Sequence, residues 1–504
     1  MGEPGRTGRD SDVADPRGYI LAATILASGM AFMDGSIITV GLPAIRAGLG
    51  ASLAEAQWTS NAYTLTLAAS TLLGGAAGDA YGLRRVFMLG IALFGLASAA
   101  CGLAWSPESL IVARAAQGIG GAMMVPGSLA LISAHYPAAI RGRAIGAWAA
   151  ASSIAPAIGP ILGGALIDLG SWRFLFWMNL PLAVAAWWLC RVRVPADAVG
   201  KSVAMDWTGG ALAVLGLGLL AYGLTVLGSG GADPEGLAVL LAIAGALVLA
   251  GFVVFEARRP APMMPLDLFA SRTFSGVNVL TLLLYFALSG ALFFLPTALI
   301  QGHHYRAALA GSVFLPFVVV MAGLSRFGGG LADRFGVRPC LTVGPILTGV
   351  SFLLLSPAVV HGGFWPALVP TMLLMGLGMG ITVAPLSTAV MNAAPDRRGG
   401  AASGINNAVA RVAGLLAVAS LGVAVGHGFE RVLAGAPPDA AALVRAAGFG
   451  GELGVTDGAV AAAAQGLWER ATIAGFSAVA LVCGVLAILG GIVGWFTTGE
   501  GERA

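Results

Sequence analysis

Two residues in this chain place opposite charges where charge is expensive. Asp34 sits in the apolar stretch ASGMAFMDGSIITVGLP (27–43), and Arg114 opens RAAQGIGG (114–121) inside another apolar run. A carboxylate at the centre of a membrane span costs about 2.5–3.5 kcal/mol on insertion scales. Burial alone pushes a carboxyl toward its neutral form, and a nearby cation draws it back to the ionised one. An acid and a base at one depth can therefore form a site that takes up and gives up a proton. They can also form a fixed tie between two helices. The proton site is the favoured reading, because static ion pairs inside membranes are costly and uncommon.

Other chemistry finds little support. His135, His303, His304, His361 and His427 fall in loops or at span ends, and the histidine pair has no partner acids at ligand spacing. Cys101, Cys190, Cys340 and Cys483 lie in or beside apolar runs with neither metal-ligand spacing nor a paired framework. They read as small apolar packing residues. The string VGKS (199–202) ends like a phosphate loop, but Pro195 stands where the first glycine is needed. No metal, no cofactor and no enzymatic activity is expected, and an intramembrane enzyme is the poorest of the alternatives.

The elements that must position the acid and the arginine are membrane helices. Of the 504 residues 58% are hydrophobic and 10% are charged, with mean hydropathy +0.87. Soluble domains carry about 25% charged residues. A helix needs about 20 apolar residues to cross a bilayer. Fourteen runs qualify by this reading, near 19–45, 57–78, 86–105, 108–133, 143–167, 173–191, 207–228, 236–256, 274–299, 308–331, 339–360, 365–391, 401–426 and 471–496. The first is expected to be retained rather than cleaved as a secretory signal.

The arginines orient these spans. With a cytoplasmic N-terminus, 18 of the 27 basic residues fall inside, 6 fall outside and 3 lie within spans. Both termini are therefore expected in the cytoplasm, in the cell membrane. Asp34 then lies roughly 22 Å into the first span and Arg114 roughly 9 Å into the oppositely directed fourth, at 1.5 Å per residue. In a core of about 30 Å the two depths nearly coincide.

The chain also repeats itself. GGAAGDAYGLRR (74–85) and FGGGLADRFGVR (327–338) align Gly75, Asp79, Gly82 and Arg84 with Gly329, Asp333, Gly336 and Arg338 at an offset of 254. YPAAIRGRAIG (136–146) aligns with APDRRGGAASG (394–404) at nearly the same offset. Self-similarity on this scale marks two structural halves. The organisation expected is a tail (1–18), a six-helix half (19–192), two extra helices with linkers (193–272), a second six-helix half (273–497, with an outer loop 427–470) and a tail (498–504). In the repeated loop, glycines allow a tight turn and the acid can pair with arginine near a helix end. Such contacts, with Arg334 beside them, could hold the inner face shut in one state.

These strings resemble the signatures of the major facilitator superfamily. The fourteen-span layout resembles its drug:proton antiporter branch. MDGSIITVGLP is similar to that branch's first-span motif and RAAQGIGG to its fourth-span motif, with Arg114 and Gln117 in the key places. APAIGPILGG (155–164) resembles the antiporter motif of span five, on Gly159, Pro160, Gly163 and Gly164, and WRFLFWMNLP (172–181) resembles the sixth-span signature. Ala80 and Leu83 depart from the inner-loop pattern, and Ala155 departs from the span-five pattern.

The resemblance implies an all-α integral membrane protein with the major facilitator fold. It implies a monomeric exporter of hydrophobic or amphipathic small molecules, powered by protons and working by alternating access. Its partners would be the substrate, protons and the lipid bilayer, with no nucleic acid. The rival within the same fold is a symporter importing a small solute. Residues expected on the substrate cavity are Gln57, Trp58, Asn61, Tyr63, Gln117, Asn278, Tyr285, Phe293, Asn406 and Arg411. With a single deep acid, the expected cargo is neutral or singly charged.

Overall fold

The computed structural model describes residues 16–195, 206–229, 235–259, 262, 264–393, 399–451, 453 and 459–498. No strand occurs among them. In the N-terminal part the helices are α1 (Pro16–Leu49), α2 (Leu53–Tyr81), α3 (Leu83–Gly102), α4 (Pro107–His135), α5 (Ala138–Asp168), α6 (Phe174–Trp177) and α7 (Asn179–Arg193). A hairpin of α8 (Trp207–Ser229) and α9 (Glu235–Ala257) follows. The C-terminal part holds α10 (Arg272–Gly302), α11 (Ala307–Ser312), α12 (Phe314–Phe335), α13 (Val337–His361), α14 (Val369–Asn392), α15 (Gly399–Ser420), α16 (Gly422–Leu433), α17 (Pro438–Ala447) and α18 (Ala459–Thr497).

Capping boxes set the register of the two helices that meet Asp34. Ser52 Oγ accepts from the Glu55 backbone N–H while Glu55 Oε2 accepts from the Ser52 N–H, which starts α2. Ser106 and Ser109 do the same for α4, with Pro107 at its first position. Each such cap contributes about 1 kcal/mol and fixes where Gln57 to Tyr63, and Arg114, point.

Twelve helical segments among the described residues are long and apolar enough to cross a membrane, against the fourteen read from the sequence. The two that fall short lie on α2 and α5. Both are long, at 29 and 31 residues. They dilute their hydropathy with polar and small residues turned toward other helices, among them Gln57, Thr59, Ser60 and Asn61 on α2, all buried. The expected run 173–191 is α6 and α7, broken at Met178. The run 401–426 is α15 and α16, broken at Leu421. The last helix begins at 459 rather than 471, because alanine, the best helix former, continues it beyond the apolar stretch.

α1 packs on α4, α5 and α7, and α2 on α4, while α18 packs on α10 and α13. The α8–α9 hairpin lies against α2 from one part and α15 and α16 from the other. Leu65, Leu217, Ala221, Leu415 and Ala419 fill that three-way seam. The repeated loops adopt one backbone form. Gly82 has φ 101° and Gly336 has φ 85°, a left-handed turn that side-chain-bearing residues rarely adopt. Arg84 Nη2 donates to Arg191 O (2.8 Å) near the end of α7, and Arg338 Nε donates to Trp495 O (2.9 Å) near the end of α18. Each bond stays within its own part of the chain. Arg338 also stacks over Trp495, 3.9 Å from its centroid.

Candidate functional site

Asp34 and Arg114 meet. Both are almost fully buried, and Arg114 Nη1 is ion-paired with Asp34 Oδ2. Asp34 Oδ1 accepts from Gln117 Nε2 at 2.9 Å and from Asn179 Nδ2 at 2.8 Å. Gln117 Oε1 in turn accepts from Arg114 Nη1 at 2.7 Å. Asn179 also donates to Ser98 Oγ (3.1 Å), whose own hydroxyl donates to Phe176 O. Arg114 Nε reaches the Thr59 carbonyl at 2.9 Å, and its guanidinium lies over the Tyr63 ring, 4.2 Å from the centroid.

Five helices thus converge on one carboxyl group inside the N-terminal part. α1 supplies the acid, α4 the arginine and glutamine, and α7 the asparagine at its first position. α3 supplies Ser98, and α2 the Thr59 carbonyl and Tyr63. This donor set suits an anion. A proton on either oxygen would set a donor against a donor, and Arg114 would lose the partner for its charge. Charge-assisted bonds of this kind are worth about 1.5–3 kcal/mol each. Protonation is therefore the event with the leverage to rearrange these helices.

The span-five glycines place α5 between this site and the C-terminal part. A Cβ on Gly159 would lie 2.8 Å from Met33 O, one residue before Asp34, and one on Gly163 would lie 2.5 Å from Ile37 Cγ1. The next turn faces the other way. A Cβ on Gly164 would lie 2.5 Å from the Ala307 carbonyl carbon and 2.6 Å from Ala308 Cα. Across the same contact, a Cβ on Gly311 would lie 2.6 Å from the Pro160 carbonyl carbon. These backbones touch directly, which side chains larger than hydrogen would prevent.

Further contacts join the two parts on this face, the one poorer in arginine. Gln57 Nε2 donates to Val418 O at 2.8 Å. Arg46 donates to Phe449 O, and its Nε to Ala51 O at 3.0 Å. Asp168 faces Arg306 at 3.5 Å. The arginine-poor face is sealed in this state. On the opposite side, a cavity of about 460 Å³ lies between the α8–α9 hairpin and α2, α10 and α15, with Asn278 and Met264 in its wall.

The remaining candidates divide. Asn278 lines that cavity, and Asn406 Nδ2 donates to Asn278 Oδ1 (3.2 Å) and Thr281 Oγ1 (2.7 Å), joining α15 to α10. Arg411 lies across from Phe32, 5.8 Å from its centroid. Asn61 and Gln57 are buried on α2. Three expectations need correction. Trp58 packs on Tyr222 of α8, centroids 5.7 Å apart, in the hairpin seam. Phe293 is 2% exposed in the C-terminal core, edge-on to Phe294. Tyr285 packs against the same core. Tyr63 and Gln117 belong to the Asp34 site. Arg334 is exposed, stacked over Phe335. The side chains of Asp79 and Asp333, and residues 394–398 of the second repeat, lie outside the described residues. Asn179, Ser98 and Thr59 are members of the site that the sequence reading did not single out.

Long apolar helices in two parts, meeting along a seam shut on one face, define a multi-pass membrane carrier. The model of the Major Facilitator Superfamily matches residues 24–418, and the chain belongs to that superfamily. It is 33% identical over 436 residues to the methylenomycin A resistance protein of Bacillus subtilis (strain 168), covering 83% of this chain and 92% of that protein. It is 32% identical over 497 residues to the tetracenomycin C resistance and export protein of Streptomyces glaucescens, covering 95% and 91%. Among solved structures it is similar to a bacterial homologue of the human lysosomal transporter Spinster. That match has a TM-score of 0.69 at 18% identity and covers 97% of this chain and 100% of that one. At such identity the likeness speaks for the fold alone.

Proposed function

We propose that the protein exports hydrophobic or amphipathic small molecules across the cytoplasmic membrane in exchange for protons. The observation that carries this is the Asp34 carboxylate, held by Arg114, Gln117 and Asn179 and set against the helix that also seals the arginine-poor face. Resistance and export proteins among its relatives support the direction of transport.

The arginine-rich face is cytoplasmic and carries both termini, following the positive-inside bias. The state described is then closed to the outside. In the cycle, substrate enters from the cytoplasmic side while Asp34 is ionised. A proton reaching Asp34 from outside breaks its bond to Arg114 and frees Gln117 and Asn179. Release of that proton to the cytoplasm restores the network. The carrier works as a monomer, without cofactor, on the proton gradient. With one acid in the site, neutral and singly charged cargo is favoured over dications.

The test is exchange in proteoliposomes under an imposed proton gradient, with ethidium as a singly charged amphipathic probe. Wild-type protein should drive ethidium against its gradient, and Asp34→Asn should not. Uptake by the variant equal to wild type would sink the proposal. Accumulation in the direction of proton flow would point to a symporter instead.

A further inference from the structure

A second carboxyl site lies at the arginine-rich face, 172 positions beyond Asp34 in the chain. Asp206 stands just before α8, and Glu256 is the penultimate residue of α9. Glu256 is 1% exposed and Asp206 9%. The two carboxyl groups crowd one point. A Cβ on Gly209 would lie 2.8 Å from Asp206 Oδ2 and 2.8 Å from Glu256 Oε1. The two side chains are hydrogen-bonded to each other.

The other oxygens show which carboxyl is the anion. Asp206 Oδ1 accepts from the Gly209 N–H at 2.9 Å and from Arg259 Nη2 at 2.8 Å. Glu256 Oε2 accepts from the Met264 N–H at 3.0 Å. The oxygens left over, Asp206 Oδ2 and Glu256 Oε1, are buried. Two acceptors meet there unless a proton lies between them. Asp206, with the arginine, is the ionised partner. Glu256 Oε1 carries the proton and donates it.

We propose that Asp206 and Glu256 form a second proton-binding site, and that their shared proton latches the 264–270 linker across the arginine-rich edge of the side cavity. Glu256 is the join. One of its oxygens holds Asp206 at the start of α8, and the other holds the backbone of Met264, whose side chain lines the cavity. When the pair gives its proton to water, two carboxylates are left facing each other with one arginine between them. The repulsion is relieved by moving Glu256, which releases Met264.

The charged groups facing the pair are few among the described residues. Arg259 contacts it. Arg258 lines the small surface pocket next to Arg259, Asp267 follows on the linker, and α2 presents Leu73 beside Gly210. Burial raises the Asp206 carboxyl, but the Gly209 N–H, Glu256 and Arg259 together outweigh this and hold it below its usual range. A depressed acid contributes stability that is lost as pH falls through its folded value. The latch therefore has two limits. Acid neutralises Asp206 and frees Arg259, and alkali removes the shared proton.

The test needs no transported substrate, so it stands or falls apart from the transport reading. The native cysteines among the described residues are buried. A Met264→Cys variant keeps the backbone N–H and gives one reactive thiol. Its labelling by a charged maleimide is followed from about pH 5 to about pH 9, the range over which buried carboxyls titrate. Dividing by the rate in a Glu256→Ala background removes the thiol's own pH dependence. The normalised rate should rise with pH, by about tenfold for each unit by which opening lowers the pair's affinity for its proton.

In Glu256→Gln the amide donates to Asp206 permanently, and the rate should stay low and flat. A flat profile with Glu256 present, or a Gln variant that follows it, overturns the proposal. The chain with no substitution supplies an independent reading. Infrared spectra should show a protonated-carboxyl stretch that fades as pH rises and is missing in Glu256→Gln. A spectrum without that band, or the same band in both proteins, overturns it equally.

Discussion

Gly164→Ala isolates the contact that seals the arginine-poor face. The new Cβ would stand 2.6 Å from Ala308 Cα and 2.5 Å from the Ala307 carbonyl carbon. Carbon atoms prefer about 3.5–4.0 Å, so α5 and α11 must part by about 1 Å. Both obstacles are backbone, which cannot rotate away as a side chain can. Overpacking of this kind costs about 1–3 kcal/mol. The strain exists only while the seam is closed, because opening carries α11 away from α5. All of it therefore biases the conformational equilibrium, by roughly 5- to 150-fold toward the seam-open state. The assay is an electron-spin distance between labels at Leu103→Cys and Gly435→Cys, one on each part at this face. Leu103 is 67% exposed and Gly435 has open space around it. The parent should give one short distance, and Gly164→Ala should add a longer one. Gly466→Ala, with nothing within 4 Å of its new Cβ, is the control. An unchanged distribution in Gly164→Ala refutes the reasoning, and so does an equal change in the control.

Two other substitutions probe the site and the seal. Asn179→Ala removes the donor 2.8 Å from Asp34 Oδ1 and frees Ser98, and a bond to a charged group is worth about 1.5–3 kcal/mol. Its thermal midpoint should fall, and proton-driven exchange should suffer more than substrate binding; an amide that is idle would change neither. Arg46→Ala cuts the bonds to Ala51 O and Phe449 O that tie α1 to the α17–α18 connection. The same spin-label pair should lengthen in it, whereas an arginine serving only α1 would leave the distance alone.

The acid, its arginine and Gln117 were legible in the sequence because charge in an apolar run has few explanations. Their other partners were not. Thr59 contributes a backbone carbonyl, which leaves no mark in the sequence. Ser98 is one hydroxyl among many. Asn179 lay inside WRFLFWMNLP in plain view, but a neutral amide within a run read as one span gives no reason to look. The break at Met178, which makes Asn179 a helix start, is what aims it. Glu256 was hidden differently. It ends an apolar run, where an acid is expected to reach water, and only the returning linker buries it. Hydropathy missed α2 and α5 because helices turned toward other helices need not be apolar. The glycines of α5 were visible, but their partners Ala307, Ala308 and Gly311 sit on and around a one-turn helix that looks like the start of the next span.

α5 is the element on which the two halves of the proposed cycle converge. On one side Gly159 and Gly163 rest on the turn of α1 that carries Asp34. On the other, Pro160 and Gly164 rest on Ala307 to Gly311. The two sets of contacts are one helical turn apart, and Pro156 and Pro160 each remove a backbone bond in the same stretch. A shift of α1 at Asp34 cannot be absorbed by side chains at these contacts, since there are none on the α5 side. It must bend α5 or move it, and either outcome disturbs the seam. This explains why the glycine motif belongs to the N-terminal part alone. A structural kink would serve both parts equally, whereas a link between a proton site and a seam is needed only where the proton site lies.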